Sequence, residues 1–98
     1  MVKVTRTYEG FGKGNPGYNV KIFVEKDGKG IGYNSYPNVE GPVTKGIFRE
    51  LHNHSWVDAL EEMLYQRTGE NHWTDKISVE MSDEEFEAFV EKFRTKKN

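Results

Sequence analysis

From Val2 to Tyr8 and again from Val20 to Ser35 the apolar residues of this chain alternate; beyond Ser55, apart from Ile77, Val79 and Met81, they recur three and four apart. A period of two sends alternate side chains to opposite faces of a strand, whereas spacings of three and four gather them on one face of a helix. The chain therefore changes from sheet to helix near its middle, and the expected fold class is α+β.

Val2, Val4, Arg6 and Tyr8 share one phase of the first strand, with Lys3, Thr5 and Thr7 on the other. Gly10-Phe11-Gly12-Lys13-Gly14-Asn15-Pro16-Gly17 breaks the pattern and reads as a loop. Alternation resumes over Asn19 to Lys26, with Val20, Ile22 and Val24 opposite Lys21, Phe23 and Glu25. Asp27-Gly28 then favours a tight hairpin turn, and Ile31, Tyr33 and Ser35 return as a third strand. Tyr36 to Gly46, which contains Pro37, Gly41 and Pro42, is expected to be an exposed connection, followed by a short fourth strand over Ile47 to Leu51.

Ser55 as N-cap, with Asp58 three residues on, suggests a helix start, and Gly69 a helix end. Between them Trp56, Ala59, Leu60, Met63 and Leu64 form an apolar stripe, with Glu61, Glu62 and Gln66 expected to face out. Ile77, Val79 and Met81 alternate as a last strand, and Ser82 with Glu85 spells a capping box. Phe86, Phe89, Val90 and Phe93 then fall at i, i+3, i+4 and i+7 of a second helix. The expected order is β-β-β-(β)-α-β-α, an antiparallel sheet of four to five strands with two helices on one face. Residues 1–98 are read as a single domain.

Composition narrows the classes of function. With no cysteine there is no disulfide framework and no thiolate chemistry, which suits a reducing cytoplasm, and the first ten residues do not resemble a secretion signal. Six Phe, five Tyr and two Trp supply much of the core. Net charge is −2, yet it is unevenly spread. Residues 1–30 hold six basic against three acidic residues, a surplus of three positive charges; residues 55–98 hold eleven acidic against six basic, a surplus of five negative ones.

Motifs that carry chemistry are weak. Gly12 to Gly17 fits the letters G-x-G-x-x-G, but a strand follows it where a dinucleotide site needs a helix, and Pro16 removes a donor. His52, Asn53 and His54 are adjacent rather than spaced like a metal nuclease, and the better reading has His52 and His54 flanking a helix, so no metal is expected. No nucleophile elbow or Walker loop occurs, and the carboxylates of the second half suit helix starts and surfaces. No catalytic residue and no cofactor are assigned.

What remains points to binding. The leading expectation is a small non-enzymatic accessory or inhibitor protein, of a kind frequent among viral and mobile-element products, that binds another protein. Candidate interface residues are Tyr33, Tyr36, Asn38 and Glu40, on the sheet face and the connection after it, and Glu61 and Glu62, whose charge could mimic phosphate. The alternative is a nucleotide or single strand bound by the basic, aromatic hairpin region through Lys13, Tyr18, Lys21 and Lys29. A small enzyme without local signature is a third possibility, and no membrane partner is expected. An uncovered sheet edge also leaves a homodimer open.

Overall fold

A computed structural model of the chain describes residues 1–9, 19–36, 43–51, 55–69 and 76–94. The strands are β1 (Val2–Glu9), β2 (Asn19–Lys26), β3 (Lys29–Tyr36), β4 (Val43–Gly46) and β5 (Lys76–Met81), and the helices are α1 (Ser55–Thr68) and α2 (Asp83–Phe93). All strand pairs are antiparallel, in the spatial order β4-β3-β2-β1-β5. The first strand is thus interior, paired on one side with its sequence neighbour β2 and on the other with the distant β5.

Alternation fixes which face is covered. Val2, Val4, Arg6 and Tyr8 of β1 lie in register with Val20, Ile22 and Val24 of β2 and with Ile77, Val79 and Met81 of β5. These residues are buried together with Trp56, Leu60 and Leu64 of α1 and Phe86, Phe89 and Val90 of α2, so both helices cover the same face. Phe48 stacks on Trp56 with ring centroids 4.3 Å apart, closing the core under β3 and β4.

Local chemistry explains most boundaries. Asp27 and Gly28 both take positive φ, 51° and 83°, as a type I′ hairpin turn needs. Gly69, at φ 73°, ends α1 with its N–H donating to the Tyr65 carbonyl at 2.7 Å. Ser82 caps α2 by accepting from the Glu85 N–H at 3.1 Å. The reciprocal half of that capping box is absent because the Glu85 carboxylate pairs with Arg67 of α1 instead, tying the two helices together.

Two expectations are corrected. The fourth strand is Val43–Gly46, and Ile47–Glu50 forms a turn of 3-10 helix rather than a strand. Gly46 is the reason: at φ 69° it turns the chain out of the strand, and only glycine fits there, since a Cβ would sit 2.3 Å from the Ile31 carbonyl oxygen. The turn places Ile47 and Phe48 over Gly32, which has no side chain to obstruct them. Ser55, in turn, is the first residue of α1 rather than its cap; the preceding position lies outside the described residues.

Candidate functional site: the open face of the sheet

Opposite the helices, the strand register arranges the other phase of side chains in rows. The central row runs Ser78, Thr5, Phe23, Tyr33 and Lys45 across β5, β1, β2, β3 and β4. On one side of it lies the row Lys76, Thr7, Lys21, Ser35 and Val43, and on the other Glu80, Lys3 and Glu25. Among the described residues no helix or strand covers this face.

Phe23 and Tyr33 are direct cross-strand partners at the middle of it. Phe23 keeps 39% of its surface in water, and Val43, two strands away on β4, keeps 37%. The Phe23 ring lies across the chain at Gly30, where a Cβ would come within 2.9 Å of its Cζ. Glycine at that position therefore lets the ring lie flat over the edge of the hairpin, beside a bulge between Val24 and Glu25. On the other flank the Thr5 and Ser78 hydroxyls are 3.1 Å apart and hydrogen-bonded.

Charge on this face is graded. Lys21 and Lys45 border the aromatic pair, with Lys76 two strands beyond in the Lys21 row, while Glu80, Lys3 and Glu25 alternate in sign along the far row. Four lysines against two glutamates leave a surplus of two positive charges, whereas the helical side exposes Asp58, Glu62, Glu84, Glu87 and Glu91.

The remaining ionic clusters hold elements together. Arg6, 1% exposed beneath the helices, is paired with Glu61 at 3.0 Å. Arg94 lies 3.1 Å from Glu50, 3.1 Å from Glu87 and 2.5 Å from Glu91, and its hydrogen bond to Glu87 chiefly holds its guanidinium above its usual range. The N-terminal ammonium is 3.1 Å from Asp83, which lies 3.6 Å from Lys26. That contact raises the amine's pKa and, as its main cause, lowers that of the Asp83 carboxyl. Among the described residues no group of three or more His, Asp or Glu side chains has metal-binding geometry.

The structure brings only part of the expected set together. Tyr33 and Lys21 share the open face in adjacent rows. Tyr36 ends β3, paired in register with Val20. Glu61 does not face out; it turns to the sheet to neutralise Arg6. Glu62 is exposed on α1, accepting from Gln66 at 2.7 Å, on the far side of the sheet from Tyr33. Lys29 pairs with Lys26 at the hairpin tip, on the helix side and at the other end of β2 from Lys21, so these two lysines do not form one anion site. Arg6 and Tyr8, a cation and an aromatic of β1, belong to the core. Lys13, Tyr18, Asn38 and Glu40, the glycine loop and His52, His54 and His72 lie outside the described residues.

Sequence reasoning placed Val43 and Lys45 in the connection beside this face rather than on a strand of it, and passed over Lys76. Lys76 carried a signal, being in phase with Ser78 and Glu80 and out of phase with Ile77 and Val79. Val43 and Lys45 carried none, because their strand was read as a connection. No family model, curated protein or solved structure matches this chain.

Proposed function

We propose that this protein is a non-enzymatic binding module that engages another protein through the open face of its sheet and thereby modulates or inhibits it. The observation that carries this reading is the Phe23–Tyr33 ring pair, central in a five-stranded sheet and left uncovered by every described element. An aromatic centre bordered by hydroxyls and by charges of both signs has the composition of a protein-recognition patch. Val43 extends the apolar centre, Thr5 and Ser78 offer hydroxyls, and Lys45 and Glu25 flank it. A non-catalytic role is supported by the described carboxylates that lie beside cations, since Glu61, Glu85, Glu50, Glu87, Glu91 and Asp83 all serve ion pairs within the fold. A cysteine-free chain suits the cytoplasm as the place where the partner is met.

The test is affinity capture after nuclease treatment, run in parallel with the tagged protein and a Phe23→Glu/Tyr33→Ser variant whose circular dichroism is unchanged. The expected result is a discrete protein held by the first and lost by the second. A partner held equally by both overturns the assignment to this face.

A second reading is favoured by Lys21 and Lys45 beside the same rings, with Lys76 further along the Lys21 row, the pattern on which bases stack while amines track phosphates. Glu25 and Glu80 on the same face oppose it. Anisotropy of a labelled single-stranded oligonucleotide separates the two readings, because a phosphate-binding face loses affinity steeply as salt rises.

A further inference from the structure

The two edges of the sheet differ in how they are protected. β4, at one edge, is four residues long and is stopped by Gly46, where the chain swings away into the 3-10 turn. A short, abruptly ended strand is one of the ways in which folds discourage edge-to-edge pairing. β5, at the other edge, has six residues, Lys76-Ile77-Ser78-Val79-Glu80-Met81, with no proline, glycine or bulge, and strict alternation of exposed and buried positions. Among the described residues β1 is its only strand partner, which leaves one row of backbone donors and acceptors facing outwards.

A lysine on such an edge ordinarily repels a second copy, because like meets like. In β5 the geometry reverses that outcome. A two-fold axis normal to the sheet pairs β5 with a second β5 antiparallel and keeps both sets of helices on the same side. Registers shifted by one residue would put Ile77, Val79 and Met81 on the open face, so the pleat excludes them. Of those that keep the faces, the register centred on Ser78 sets Lys76 opposite Glu80 of the second copy and Glu80 opposite Lys76 of the second copy. Ile77 then lies opposite Val79 on the covered side. Both charges are satisfied by one symmetry operation.

We infer that two copies of this chain join through β5, antiparallel and centred on Ser78, to form a continuous ten-stranded sheet with two paired Lys76–Glu80 contacts across the seam. The inference stands apart from the partner-binding reading, since the seam lies at the edge and the ring pair at the centre of the sheet. It would give the dimer two aromatic patches on one continuous surface.

Sedimentation at increasing protein concentration tests it through charge reversal. The unaltered protein is expected to dimerise, and Lys76→Glu or Glu80→Lys each to weaken dimerisation at least about tenfold, because both seam pairs become like-charged. Mixing the two variants restores both pairs in a heterodimer, so the mixture is expected to associate as the unaltered protein does. Circular dichroism on each variant shows that the fold is kept, and the mixture provides the readout that misfolding cannot imitate. A protein that stays monomeric at the highest soluble concentration overturns the inference. So does a dimer that ignores both reversals, since it would be using another surface.

Discussion

The two faces of this sheet are built from the same strands and differ in every respect that packing controls. On the covered face Val2, Val4, Ile22, Val24 and Val79 are nearly or wholly buried, and the one charge among them, Arg6, has Glu61 brought to it from α1. On the open face the large apolar residues are few and partly wet, and Lys3, Lys45, Lys76 and Glu80 are exposed to solvent. A single period of two writes both, so the same strand carries stability in one phase and recognition in the other. Substitutions should therefore separate cleanly by phase.

The hardest test of that separation is Trp56→Ala. Trp56 is 1% exposed and stacked on Phe48, so its loss empties the centre of the covered side. Denaturant titration should show a loss of roughly 3–5 kcal/mol. A midpoint close to that of the unaltered protein would mean that the core is not where the burial puts it.

Next comes Glu61→Gln, which strips Arg6 of its charged partner. Breaking a fully buried pair costs roughly 3–5 kcal/mol; here about 2 kcal/mol is expected, since the Glu61 side chain keeps contact with water. The double variant Arg6→Met/Glu61→Gln should recover most of the loss, because no buried charge is then left alone. Failure to recover would show that Arg6 contributes through its other contacts more than through Glu61.

On the open face, Phe23→Ser and Tyr33→Ser should each shift stability by less than about 1 kcal/mol while removing the binding surface. A larger loss would blur the division of labour, making the rings structural cover for Gly30 and its neighbours rather than a contact site.

The smallest effect belongs to the terminal cluster. The Asp83 carboxyl has its pKa lowered by the N-terminal ammonium, so its contribution is present above the ordinary value of 3.8 and fades as pH falls through the lowered one. The ammonium's pKa is raised, so its contribution is complete below the ordinary value of 8.0 and fades as pH rises through the raised one. Thermal midpoints measured against pH should dip slightly at both ends, less so in high salt, and Asp83→Asn should flatten both dips.

Much of this was legible in the chain. Asp27-Gly28 announces the β2–β3 hairpin, and Ser82 with Phe86, Phe89 and Val90 announces α2, because turn chemistry and periodicity are local. The site was legible only where it was in phase: Phe23, Tyr33 and Lys21 fall on one side of their strands by simple alternation. Three things were hidden. The bulge at Val24/Glu25 changes the pairing register near the hairpin, so alternation along β3 does not place Lys29. Gly46 moves β4 ahead of where the apolar run Ile47–Phe48 suggests a strand. Glu61 looks like one more solvated acid until the register of β1 is known, because its pairing spans two elements far apart in sequence.

Arg6 has one more consequence, which concerns errors rather than energies. If β1 slips by one position against its neighbours, its valines turn to water, and the alternation itself rejects the mistake. If it slips by two, every valine still faces inwards and the pleat offers no objection. Only Arg6 does, because it is carried a full repeat away from Glu61 and stranded among apolar groups. The strand so aligned is the one that must find β5, joining positions as distant as Thr5 and Ser78, 73 residues apart. A lone cation in an otherwise apolar phase thus acts as a proofreading mark for the most distant pairing in the sheet.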